Sequence, residues 1–354
     1  MKFLIFTSEL KFSGPNNVIL SLVSGLNKIG IETVVCGLRN REDPLYKEKL
    51  LSLGASVECM GKNDNLITFI YKKIKLHNPD VVNSHGIRAD VALLLISKFV
   101  KNKIISTIHN VPYEDYTSRY DGILSKIMLL CHSQVFKSKR ICKVAVSNNV
   151  KTCLEKNGAH NVLTIYNGVI SDGYNNNSFS REELESKLKL SPNRKRFIFC
   201  GHLTEIKQPL IIKELSVFFP QYDFIILGDG PLKEDMISDN DNLILKGRVS
   251  NVSEYMAVSD FFIMPSLTEG MPMAFIEALF SNLYPICSNI PIFKELNNIP
   301  NISMSLFDVG NVDSLKTNIE LIDFSLKNNN YDIANKYFSD VAMSTQYVKV
   351  VTSE

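Results

Sequence analysis

Long apolar runs are missing from this sequence. The longest, such as Val91 to Ile96, falls far short of the roughly 20 residues needed to cross a bilayer, so no membrane span is expected. The opening Met1-Lys2-Phe3-Leu4-Ile5-Phe6 is too short for a signal peptide and gives way to Thr7, Ser8 and Glu9, so the expected place is the cytoplasm. Repeats and low-complexity tracts are missing too, and a composition of 45% apolar and 21% charged residues excludes a largely disordered chain. Paired cysteine spacing is absent: the seven cysteines are scattered, several inside apolar patterns (Cys36, Cys200, Cys287), and read as reduced core thiols rather than metal ligands. Net charge is only +2, and no nucleic-acid motif accompanies it, so nucleic acid is not an expected partner. There is also no Gly-x-Gly-x-x-Gly and no Walker loop, because Gly228-Asp229-Gly230-Pro231 lacks the lysine and the spacing; this disfavours simple dinucleotide or ATP binding.

What is present is length and alternation. A chain of 354 residues exceeds one compact domain. Short apolar runs alternate with helical patterns: strands are expected at Lys2 to Thr7, Glu32 to Gly37, Val57 to Met60, Val81 to Ser84, Lys103 to Thr107, Arg140 to Val146 and Val162 to Tyr166, with a helix over Asn17 to Ile29. After a polar stretch that includes Asp172 to Asn177, a second series follows at Arg196 to Cys200, Asp223 to Leu227, Leu243 to Lys246, Phe261 to Pro265 and Tyr284 to Cys287. The pattern predicts two α/β domains with doubly wound parallel sheets, whose ligands bind beyond the carboxyl ends of the strands. Positive charge is in excess up to about residue 176 and negative charge after it. Lys126 to Lys143, where Lys137, Lys139 and Arg140 accompany Ile127, Met128, Leu129 and Leu130, reads either as a surface for anionic lipid or as a solvated basic face.

The sharpest constellation is Pro265-Ser266-Leu267-Thr268-Glu269-Gly270-Met271-Pro272-Met273-Ala274-Phe275-Ile276-Glu277. Two carboxylates follow a strand there, with a Gly-x-Pro opening a helix. Carboxylate oxygens accept hydrogen bonds from sugar and ribose hydroxyls, and free N–H groups near Met271 to Ala274 suit a phosphate. On spacing alone, a helix-capping Glu269 and a solvated Glu277 read equally well. Gly201-His202-Leu203-Thr204-Glu205-Ile206-Lys207 repeats the strand, turn and helix start, with Lys207 a point charge for a diphosphate or a plain loop lysine. Gly14 and Pro15 open the first helix and offer close backbone approach. His109 and His85 stand after strands, where a structural role competes with sugar contact. Asp239-Asn240-Asp241 is not a metal site on this reading, because it enters its strand from the amino end.

In this order the segments resemble the retaining glycosyltransferases of family 4 (glycosyl transferases group 1). Gly14-Pro15 is similar to that family's phosphate loop, and Ser147 with Ile165-Tyr166-Asn167-Gly168-Val169 to the segment closing its first domain. Gly201 to Lys207, Leu227 to Leu232, Gly247-Arg248-Val249 and Pro265 to Glu277 match its later motifs. The resemblance implies the GT-B fold: Rossmann-like domains over residues 1–175 and 176–335 facing a cleft, and a helical segment 336–354 crossing back, with Ile333 to Val351 similar to the family's terminal helices. It implies that Glu277 holds ribose hydroxyls, Glu269 with Gly270, Met271, Pro272 and Met273 the donor sugar, Lys207 the diphosphate, Gly14 the distal phosphate and His109 the sugar's outer hydroxyl, with Arg248 and Val249 beside the base. His202 stands where the family has arginine, and Ser13 where a first glycine is common. The expected partners are a nucleotide sugar, with uridine as base, and a glycan or lipid-linked saccharide acceptor in bacterial surface polysaccharide synthesis, with peripheral contact to an anionic membrane. No metal or other cofactor is expected. A non-hydrolysing nucleotide-sugar epimerase, which converts donor without acceptor, and a catalytically silent binder share the architecture.

Overall fold

The buried run Phe3-Leu4-Ile5-Phe6 makes β1 (Lys2–Thr7) the centre of a sheet covered on both faces. A computed structural model describes residues 1–113, 116, 122–174, 179–323 and 328–352. Residues 1–170 and 337–354 form one unit and residues 171–336 another. The junction expected between residues 175 and 176 lies outside the described residues. In the first unit, β1 pairs in parallel with β2 (Glu32–Gly37), which pairs with β3 (Ser56–Cys59). On its other side it pairs with β4 (Val81–His85), followed by β5 (Lys103–Ile108), β6 (Ile141–Ala145) and β7 (Val162–Thr164). The order β3-β2-β1-β4-β5-β6-β7 reverses between β1 and β4, and the carboxyl ends there form the switch point of a doubly wound sheet.

The helix Gly14–Lys28 starts three residues before the expected Asn17, because Ser13 caps it and Pro15 suits its first turn. The last helix, Asp340–Thr352, lies against it. Buried Asp340 accepts from Ser24 Oγ at 2.6 Å and from Lys28 Nζ at 2.7 Å, and Ser344 Oγ donates to the Leu22 carbonyl at 3.2 Å. The Val169 N–H donates to the Phe338 carbonyl and the Asp340 N–H to the Val169 carbonyl, both at 2.9 Å. A side chain at Gly168 would put its Cβ 2.6 Å from the Ser339 carbonyl oxygen, so the returning chain requires glycine there.

The second unit holds β8 (Arg196–Cys200), β9 (Asp223–Leu227), β10 (Leu243–Gly247), β11 (Phe261–Met264), β12 (Tyr284–Ser288) and β13 (Ser305–Phe307), all parallel. Their order, β10-β9-β8-β11-β12-β13, reverses between β8 and β11. Phe197 stacks on Phe224 at 5.2 Å and on Phe261 at 4.7 Å between ring centroids, tying the three strands nearest the switch point. No helix among the described residues is long and apolar enough to cross a membrane.

Candidate functional site

At the β8/β11 switch point, β8 runs into the turn Gly201–Lys207, and β11 runs into Pro265–Pro272 before the helix Met273–Phe280. The Leu267 N–H donates to the Ile206 carbonyl at 2.8 Å and holds the two turns side by side. The Lys207 ammonium bonds the Glu269 carboxylate through Oε1, with the side chains 23% and 10% exposed. Ser266 Oγ donates to that same oxygen at 2.7 Å, while Ser288 Oγ donates to the Ser266 carbonyl at 2.5 Å. Glu269 Oε2 meets no partner among the described residues, and the ammonium has two further hydrogens to give. The two turns thus present an open carboxylate oxygen and an ammonium side by side. Neither serine was singled out from the sequence; both are small polar residues at or just beyond strand carboxyl ends, which is the signal that marks them.

Pro272 precedes the helix Met273–Phe280 without a side-chain cap, which leaves the first N–H groups without intrahelical acceptors. Gly270, Met271 and Pro272 are buried and Met273 half-buried. About one turn into this helix, the carboxylate of half-buried Glu277 has no hydrogen-bond or ion-pair partner among the described residues, and burial pushes its pKa up to about 7. Its charge also acts on Cys200, at the end of β8, and on Tyr174, whose groups are raised first by burial and then by Glu277. Glu277 therefore stands beside the end of β8, the strand that leads to Lys207.

His202 is exposed, and its Nδ1 bonds the Asp229 carbonyl oxygen. A carbonyl only accepts, so Nδ1 carries the hydrogen, and in the neutral ring Nε2 is an acceptor turned away from this bond. Only its protonated form supplies the second donor that an arginine would. The Gly228 N–H donates to the Gly247 carbonyl at 2.8 Å, which brings the β10 end, exposed Arg248 and half-buried Val249 next to the β9 turn. Asp239 and Asp241 lie in the turn that enters β10 at its amino end.

In the first unit, Gly14 and Pro15 are exposed, and a Cβ at Gly14 would meet nothing within 4 Å. The loop before them is held by buried Asn16, whose Nδ2 donates to the Glu9 and Lys11 carbonyls at 2.8 and 2.7 Å and whose Oδ1 accepts from Thr7 at 2.8 Å. His85 ends β4, and half-buried His109 follows β5; His85 Nδ1 and His109 Nε2 are 2.8 Å apart. Burial lowers both imidazoles, that of His109 to about 4, so the rings are neutral at ordinary pH.

A family model described as Glycosyltransferase Family 4 matches residues 12–172, and one described as Glycosyl transferases group 1 matches residues 194–322. The O-antigen biosynthesis glycosyltransferase WclY of Escherichia coli is 28% identical over 371 residues, covering 99% of this chain and 98% of its own. The UDP-Gal:alpha-D-GlcNAc-diphosphoundecaprenol alpha-1,3-galactosyltransferase of Escherichia coli is 24% identical, covering 62% of this chain and 60% of its own. Among solved structures, Anabaena Alr3699/HepE in complex with UDP-glucose superposes with a TM-score of 0.84 at 17% identity, covering all of both chains.

Proposed function

The chain belongs to the GT-B glycosyltransferases of group 1 and family 4, and from that premise we propose that it moves a hexose or N-acetylhexosamine from a UDP-sugar, with retention and without a metal, onto a glycan or lipid-linked saccharide in bacterial surface polysaccharide synthesis. The Lys207–Glu269 contact beside an uncapped helix start carries this reading. As the glycosidic bond breaks, the departing nucleoside diphosphate gathers negative charge. The Lys207 ammonium, a charge, and the N–H groups opening Met273–Phe280, hydrogen-bond donors, are held in place and suited to it, and they cost no reorganisation during the step. Glu269 Oε2 is suited to accept from a sugar hydroxyl, and Glu277 from the ribose pair once it is ionised. Gly14 serves the distal phosphate, Arg248 and Val249 the base, and His109 a sugar hydroxyl. Relatives named for O-antigen, capsular and diphosphoundecaprenol-linked saccharide synthesis support the acceptor class, and a neighbour bound to UDP-glucose supports the donor.

Peripheral contact with an anionic cytoplasmic membrane surface belongs to the same reading. The helix Gly122–Lys137 turns Ser125, His132, Val135 and Phe136 inward yet leaves Ile123, Ile127 and Leu130 exposed at 75%, 51% and 65%, beside exposed Lys126 and Lys137. An apolar stripe flanked by ammonium groups suits an acidic lipid interface. The testing experiment is thermal protection of the full chain by a panel of nucleotide sugars, followed by nucleoside diphosphate release with and without lipid-linked acceptor. Protection by UDP-sugars with acceptor-dependent release is expected; conversion of donor without acceptor would instead identify an epimerase, and binding with no turnover in either assay a silent binder.

A further inference from the structure

Five side chains of the first unit form one hydrogen-bonded line, of which the reading above uses only the last member. Tyr347 Oη lies 2.9 Å from Thr107 Oγ1, and Asn83 Nδ2 donates to that oxygen at 3.0 Å. His85 Nε2 lies 2.7 Å from Asn83 Oδ1, and His85 Nδ1 lies 2.8 Å from His109 Nε2. Chemistry fixes the direction of the bonds at Asn83 and beyond. Asn83 Nδ2 also donates to the Ile105 carbonyl at 3.2 Å, which can only accept, so the amide is oriented with Oδ1 toward His85. An amide oxygen likewise only accepts, so His85 Nε2 carries a hydrogen. Burial keeps His85 neutral, which makes its Nδ1 a lone pair. His109 Nε2 must then donate, and in the neutral His109 ring the lone pair falls on Nδ1. No partner among the described residues meets that atom, and the ring is half-buried.

We propose that this line fixes His109 as a hydrogen-bond acceptor at its open Nδ1, so that the site selects donor sugars presenting a hydroxyl there and rejects sugars presenting a carboxylate. The proposal rests on the sugar-transfer reading, which gives His109 an outer sugar hydroxyl. A carboxylate has no hydrogen to offer the lone pair, and binding it through an imidazolium would require charging a ring that burial keeps neutral. Buried Asp90, whose charge acts on His109, adds repulsion against a second carboxylate. Asn83 and His85 are thus positioning residues, and uronic-acid donors fall outside the substrate class.

The test begins with the unaltered, histidine-labelled full chain. Nitrogen NMR at neutral pH should find His109 protonated at Nε2 and bare at Nδ1; a hydrogen on Nδ1 would overturn the proposal whatever the activity. Competition binding should then place UDP-glucuronate about 10-fold or more behind UDP-glucose. His85→Gln, whose amide oxygen still accepts from His109, should keep that ratio, while His85→Phe should shrink it toward one. Equal affinities in the unaltered chain would also sink the proposal. Failure to bind UDP itself would count against the sugar-transfer reading instead, and the NMR signal would still decide the tautomer.

Discussion

At Glu277, burial and ligand demand opposite charge states. The folded carboxyl titrates at about 7 against an ordinary 4.5, so between those values the folded chain holds a proton that the unfolded chain has released. Stability from this group is therefore greatest below about pH 4.5, falls as pH rises, and carries the full penalty above 7. Glu277→Gln should raise the melting temperature at pH 8 by about 2–4 °C, with the gap closing near pH 4.5; a constant gap would contradict the burial argument. UDP affinity should run the other way in the unaltered chain, weakening below pH 7 as the acceptor oxygens are protonated. Calorimetric titration across pH measures this, and Glu277→Gln should bind UDP about 10-fold more weakly with no such slope. For Lys207→Ala we expect a fall in turnover on the order of 10²–10³-fold, with an unchanged circular dichroism spectrum. The places of Glu269, Glu277 and Lys207, beyond a strand and a turn signal, were legible in the sequence, but spacing alone did not separate a binding role from a capping or solvated one. Their pairing was not: that Lys207 touches Glu269, and that Ser266 and Ser288 brace the pair, depends on which strands become neighbours, and β8 and β11 are separated by some sixty residues.

Elements were legible where apolar runs are long and poorly so where they are short. β1, β2, β8 and β9 lie where the hydrophobic pattern puts them, whereas β13 (Ser305–Phe307), three residues long, gives no periodic signal and was not anticipated. β7 stops at Thr164, two residues short of the expected Tyr166. The packing of Asp340–Thr352 on Gly14–Lys28 could not be read from either helix alone, yet it decides what Gly25 is for. Alanine in a helix interior is normally favoured over glycine by about 1 kcal/mol. Here an added Cβ would lie 2.1 Å from the Asp340 carbonyl oxygen and 2.3 Å from Ser344 Oγ, so Gly25→Ala should destabilise the chain despite its better helix propensity. Thermal melting reads the sign directly, and a raised melting temperature would show that the last helix yields.

On the scale of the whole molecule, the exposed stripe of Gly122–Lys137 makes a prediction of its own. Ile127→Glu combined with Leu130→Glu should abolish co-sedimentation with phosphatidylglycerol vesicles while leaving UDP binding intact; unchanged sedimentation would remove the membrane contact from the proposed function. The two-unit plan was legible in the alternation of strands and helices. The division of the first unit into two stretches of chain was suggested only by resemblance, since no local pattern tells Tyr347 that its hydroxyl will meet Thr107.

That division sets an order of assembly. A ribosome releases the seven strands of the first sheet early, but Phe338, Met343 and Tyr347, all buried in that same unit, emerge only after residues 171–336. The half that begins first must wait, with apolar surface uncovered, while the 171–336 half can be completed in one piece. Nascent chains halted near residue 336 should accordingly be clients for chaperones, and full-length ones should not.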